Sequence, residues 1–372
     1  GVGRPHVELL VDRDPVVDDH PTVGTDTLVE VAEALDAVNG VKLTAVLNTF
    51  ANYSAQARNG VVDGIKITNV TTALQILAEQ LASDGSIDTF TEYHQLSEQI
   101  DANELFELAA AIKVVVENID GSVLPAGVSD TEALARAIAN GNSSFLTDIA
   151  TNAPAALEEA RTKLLTDGNA TLPFEPVSAP GVYASVSDRF IYAVFSNGSA
   201  LVDYGTDESV PGTPSWSLND NGQLVVSFVG FERATDSLSA IGTVGDIVHL
   251  VREADFRNAK SVDASSVRKI NFGAAFDAAN VPGSWVDGDM EASRWVFVEG
   301  GQGYRLNTQT QIQSDAFNWD VTSDGRINMT FDGTDESMQF VRLDDGADAV
   351  LQISRFNGQF AYLNTTTLTP EG

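Results

Sequence analysis

The chain has no cysteine among its 372 residues. That excludes thiolate zinc sites, cysteine nucleophiles, iron–sulfur clusters and disulfide staples. Basic residues are scarce: 21 Lys and Arg stand against 53 Asp and Glu, a formal net charge of −32. Such a surface repels nucleic-acid phosphates and anionic headgroups, so nucleic acid is not an expected partner. It suits solubility in a salty medium, where screening shortens the reach of self-repulsion. No run of about 18 apolar residues occurs, so no membrane-spanning helix is expected. Catalytic signatures are lacking too. The four histidines, His6, His20, His94 and His249, show no paired ligand spacing. There is no nucleophile elbow and no phosphate loop. Gly300-Gly301-Gln302-Gly303 follows Phe297 as a hairpin turn would. No catalytic residue, cofactor-binding residue or metal ligand is therefore assigned.

What is present is 43% hydrophobic, enough to bury real cores. From residue 25 to 170 the apolar period is helical. Leu28, Val31, Ala32, Leu35 and Val38 line one face, and Leu74, Leu77, Ala78 and Leu81 another. Leu105, Leu108, Ala109, Ile112, Val115 and Val116 form the longest stripe, opened by Asp101 and Glu104 as a capping box. Ser129 and Glu132 open a further helix, and Pro154 suits the first turn of the last. Asn69 or Thr71 is the expected cap of the second. Short amphipathic helices must bury their stripes on one another, so an all-α orthogonal bundle is expected. Residues 1–24 read as an extended arm. Its apolar stretch Val7–Val11 precedes Asp12, Asp14, Asp18, Asp19 and His20, whose spacing matches no EF-hand.

Pro173, Pro176 and Pro180 mark a change of pattern, and 171–180 reads as a linker. Beyond it the chain alternates in short runs and repeats itself. Trp216, Gly222 and Phe228 return as Trp319, Gly325 and Phe331, each 103 residues on. Pro180-Gly181 returns as Pro282-Gly283, and Asp246-Ile247-Val248 as Asp348-Ala349-Val350. Arg189-Phe190 aligns with Arg294-Trp295, and Arg252 with Arg355. The pattern is strand, Asn/Gly turn, strand, in two units of about five strands, 181–256 and 281–368. A connection over 257–280, with a short helix near Ala274–Ala279, separates them. Two such meanders avoid open edges by closing into one barrel of roughly ten strands or by facing each other as a sandwich. The fold class is thus α+β by segregated domains: a helical bundle, then an antiparallel β-barrel or sandwich of two repeated meander units.

The stretch Ile67-Thr68-Asn69-Val70-Thr71-Thr72-Ala73-Leu74 and the two Trp-x5-Gly-x5-Phe hairpins give the chain its likeness to known proteins. It resembles the exported and surface lipoproteins of marine-type gammaproteobacteria, which join a small helical domain to lipocalin-like β-units. Those carry a lipid on a cysteine that this sequence does not have. The resemblance implies an extracellular, cell-surface or periplasmic location in a bacterium. The expected function is non-enzymatic binding of a small apolar or glycan ligand, or of a protein partner, through the duplicated β-domain. The aromatics concentrated there supply the candidate ligand-binding residues Tyr183, Tyr192, Trp285, Trp295 and Tyr304. The tryptophans kept in both copies, Trp216 and Trp319, are expected in the core. No cofactor is expected; the acidic loops 332–337 and 344–348 read as solvated hairpin loops, with calcium binding as the alternative. Two other readings stand. One is a structural subunit or adhesin that self-assembles by strand addition through the arm. The other is a polysaccharide hydrolase using paired carboxylates.

Overall fold

A computed structural model describes residues 68–82, 87, 90–117, 142–166, 168, 170–186, 190–205, 214–228, 235–244, 246–256, 259–289, 292–346 and 348–371. The arm over 1–24, its acidic cluster, the first helix stripe and the helix expected near 129–138 lie outside the described residues. Five helices are described: α1 (Asn69–Leu81), α2 (Phe90–Ser97), α3 (Ala102–Glu117), α4 (Asn142–Asn152) and α5 (Pro154–Thr166). Sixteen strands follow, eight from each copy of the repeat.

The helices start where their caps dictate. Thr68, one residue earlier than expected, caps α1, and its side chain and that of Thr71 exchange hydrogen bonds with each other's backbone N–H. Asp101 caps α3 by accepting from the Glu104 N–H at 3.0 Å. Leu105, Leu108, Ala109 and Ile112 of α3 are buried among α1, α4 and α5. Arg161 of α5 ties to α3 through both oxygens of Glu107, at 2.9 and 2.5 Å.

The first copy comprises β1 (Gly181–Ser185), β2 (Ile191–Val194), β3 (Ala200–Asp203), β4 (Ser215–Leu218), β5 (Leu224–Ser227), β6 (Thr235–Val244), β7 (Ile247–Phe256) and β8 (Ala259–Ile270). They form one antiparallel sheet in the order β3-β2-β1-β8-β7-β6-β5-β4. Its two edges meet at an isolated bridge, Ser199 to Ser215, so the sheet curls into a barrel. The second copy comprises β9 (Gly283–Asp287), β10 (Ser293–Val298), β11 (Gln302–Asn307), β12 (Gln313–Val321), β13 (Ile327–Phe331), β14 (Glu336–Arg342), β15 (Ala349–Phe356) and β16 (Gln359–Pro370). It is a closed barrel with β9 between β10 and β16.

The five-strand units and the shared ten-strand barrel are therefore corrected. Among the described residues each copy has eight strands and curls on itself. The missing strands include β8, which occupies half of the passage read as a connection. Its sequence, Ala-Lys-Ser-Val-Asp-Ala-Ser-Ser-Val-Arg-Lys-Ile, is too polar to show a strong period, yet Val267 faces one barrel and Ala264 the helices. The short helix in that passage is a single 3-10 turn, Ala278–Asn280.

The expected linker is also corrected, because 171–180 opens the first repeat. The Phe174 N–H donates to the Gly222 carbonyl at 2.8 Å, and the Phe276 N–H donates to that of Gly325 at 2.9 Å. Each phenylalanine meets a strand aromatic edge-on, Phe174 against Tyr183 and Phe276 against Trp285. The Tyr183 hydroxyl and the Trp285 Nε1 each donate at 2.7 Å to the carbonyl four residues back, Ala179 and Val281. Prolines restrict the backbone, but they do not decide whether a segment packs. Each lead-in segment plugs the barrel end that carries the Trp-x5-Gly hairpin.

The two barrels lie side by side. Val182, Ala193, Phe195 and Leu201 from the first pack on Leu343, Leu351, Ile353 and Leu363 from the second. The helices take another face of the first barrel, where Ile241, Val244, Val251 and Ala264 join their core. Strand β1 is short and pairs only with 267–270, which leaves the next part of β8 with an open edge. Asn103 of α3 fills part of it, its Oδ1 accepting from the Ala264 N–H at 2.8 Å. Asn103→Ala should cost about 1 kcal/mol by urea denaturation and expose the Ala264 amide to hydrogen exchange.

Candidate functional site at the loop end of the first barrel

The interiors of both barrels are filled by their own side chains. Tyr183, Leu224, Val226, Leu238 and Leu250 occupy the first; Trp285, Phe297, Phe317, Met329 and Phe340 occupy the second. The five candidate aromatics do not come together. Tyr183 and Tyr192 are a cross-strand pair inside the first barrel, and Trp285 and Trp295 are the equivalent pair inside the second. The repeat partner of Trp295 is thus Tyr192, not Phe190, because strand register and not chain order sets equivalence. Tyr304 pairs with Val296, whose neighbours Trp295 and Phe297 point inward, so Tyr304 lies on the outer wall. Trp216 and Trp319 are packed against the two cores, and each donates from Nε1 to an equivalent carbonyl, Phe195 or Val298.

The copies differ in their cores at the end opposite the plug. Position 236 in the first barrel corresponds to 338 in the second: Val226 pairs with Asp236 as Met329 pairs with Met338. One barrel places methionine in its core there and the other places a carboxylate. Asp236 is fully buried, and the hydroxyls of Tyr192 and Tyr204 both donate to its Oδ2 at 2.5 Å. Its Oδ1 has no hydrogen-bond partner among the described residues. Around it stand Phe190 against Tyr192 and Phe228 against Tyr204, with ring centroids 5.7 and 6.4 Å apart. The Arg252 guanidinium lies 5.4 Å from the Tyr204 ring centre and pairs with Asp263 at 2.9 Å.

Burial raises the Asp236 carboxyl above the usual range, against the opposing pull of the two tyrosines and Arg252. Burial, reinforced by Asp236, also raises both tyrosines, so they hold their protons and act as donors. Burial works against the charge of Arg252, but Tyr192, Asp263 and Asp236 outweigh it, so the guanidinium stays protonated.

The second barrel has a buried carboxylate at its own loop end, but a satisfied one. Asp287 Oδ2 accepts from Trp295 Nε1, and its Oδ1 accepts from Thr366 and from the Asp289 N–H, each at 3.1 Å. That carboxylate is structural. Neither Asp236 nor Arg252 stood out in the sequence as a site residue. The available signal was an acid inside a short alternating run, Thr235-Asp236-Ser237-Leu238, opposite a methionine in the other copy.

Elsewhere, a shallow groove of about 390 Å³ lies at the plugged end, lined by Thr166, Phe174, Glu175, Asp220 and hairpin backbone. Among the described residues no three His, Asp or Glu side chains converge to hold a metal. In the acidic loops, Asp332 accepts from Asn318 and Asp345 faces Arg268. No helix among the described residues is long and apolar enough to cross a membrane.

No protein-family model matches the chain, and no curated protein matches it significantly.

Proposed function

We propose that the chain is an exported, non-enzymatic binding protein of the bacterial surface or periplasm, with its ligand held at the loop end of the first barrel. One observation carries this reading. The two copies keep the same plug, turn glycine and Trp–carbonyl bonds, yet where the second barrel buries Met338 at its loop end the first buries Asp236, one of whose oxygens has no hydrogen-bond partner among the described residues. A fully buried carboxylate oxygen without a partner is costly, and a bound donor group removes that cost. The helices read as an all-α bundle that braces the first barrel, and the second barrel reads as a scaffold. The filled interiors favour a small polar ligand over a large apolar one. Glycan, lipid and amine panels should reveal a ligand that raises the melting temperature and perturbs the tyrosines around Asp236. A flat response across all three would overturn the reading.

A further inference from the structure

We infer that the ligand of the first barrel carries a primary ammonium group, with Asp236 Oδ1 accepting its N–H and the surrounding aromatic rings facing its charge. The inference rests on the binding reading above and names the ligand class. It follows from charge and geometry together. Arg252 is already neutralised by Asp263, through Nη2 at 2.9 Å and Nε at 3.3 Å. Asp236 receives only neutral phenol donors, both on Oδ2. In its ionised form Asp236 has no cation hydrogen-bonded to it among the described residues, although its side chain is fully buried. A buried charge of that kind is better matched by a cation than by a neutral hydroxyl, which fills the hydrogen bond but leaves the charge.

The neighbouring side chains choose among cations. Phe190, Tyr192, Tyr204 and Phe228 form a continuous chain of ring contacts through the two tyrosines bonded to Asp236, a setting for an organic ammonium. Calcium or magnesium needs six or more oxygen ligands, and one free carboxylate oxygen among phenyl rings does not provide them. A quaternary ammonium suits the rings but has no N–H for Oδ1. The net charge of −32 raises the local concentration of any cation at low salt.

The test titrates the full chain with n-butylammonium chloride, tetramethylammonium chloride, methyl glucoside and calcium chloride by isothermal calorimetry at low salt. Butylammonium should bind, and tetramethylammonium should bind at least tenfold more weakly. Asp236→Asn should weaken butylammonium at least tenfold. Asp236→Met should abolish binding while folding with an unchanged or higher melting temperature, since Met338 holds that position in the sister barrel. If Asp236→Met fails to fold, Asp236→Asn decides. Absence of butylammonium binding, or equal binding by the Asp236 variants, overturns the inference. If methyl glucoside alone binds in an Asp236-dependent way, the ammonium class is wrong and the binding reading survives. If no probe depends on Asp236, this site falls with the inference.

Discussion

Replacing Gly325 with alanine is expected to lower the stability of the second barrel by about 3 kcal/mol, and Gly222→Ala should do the same to the first. Both glycines sit in the left-handed region, at φ +76° and +71°. An L-residue there costs about 1–2 kcal/mol. The rest comes from the plug. A Cβ on Gly325 would lie 2.1 Å from the Ala275 Cβ, and one on Gly222 would lie 2.5 Å from the Pro173 Cβ. The lead-in must back away, which loosens Phe276 or Phe174 from its aromatic partner. The control is Gly333→Ala. That glycine has φ +74° but nothing within 4 Å of its Cβ position, so only the backbone cost of about 1–2 kcal/mol should appear. Urea titrations followed by tryptophan fluorescence separate the cases. Equal losses at 325 and 333 would show that the lead-in segments do not plug the barrels.

Acid should loosen the helices from the first barrel through His249. This residue lies on β7 between Val248 and Leu250, which face the barrel interior, so the imidazole points outward. Solvent does not reach it, because α3 and the turn before it cover the position. Its Nδ1 is 3.0 Å from the Ser266 hydroxyl, which donates in turn to the Ile100 carbonyl, while Nε2 has no well-formed hydrogen bond among the described residues. Burial pushes the imidazole down to about 4, against weaker contributions from the Ser97 backbone and the Asp101 carboxylate. A folded value below the unfolded one means that the neutral form stabilises the fold. Its contribution is complete above about pH 6.5 and is lost as pH falls from there through about 4. The full loss amounts to about 3 kcal/mol. Acidic side chains lose charge over part of the same range, so the readout is a difference: wild type minus His249→Gln, by melting temperature from pH 7 to pH 4. Wild type should fall relative to the variant, with hydrogen exchange rising first in 102–117 and 259–266. A flat difference would mean that the ring finds a partner when protonated.

The helical and β halves were legible because apolar period is a local property. The stripes of α1 and α3, the Asp101 cap and the start of α5 at Pro154 follow from residues within one or two turns. The duplication was legible because Trp216, Gly222 and Phe228 serve local hairpin geometry and return in the same order. The site was not. An acid on a strand looks solvated until its face is known, and the face of Asp236 depends on strands β2 and β3, more than thirty residues earlier in the chain.

The sequence by itself thus determined the change from helical to β pattern, the Asp101 cap, the turn glycines and the fact of repetition. Tertiary structure decided that each copy closes on itself, since closure rests on β8 returning to β1 and β16 to β9, pairings some 80 residues apart. It also decided which residues are equivalent, that Pro173–Pro180 is a plug, and that Asp236 and His249 are buried. The physical reason is range. Side-chain periodicity reports which faces a segment has, whereas burial depends on what the whole chain brings against those faces.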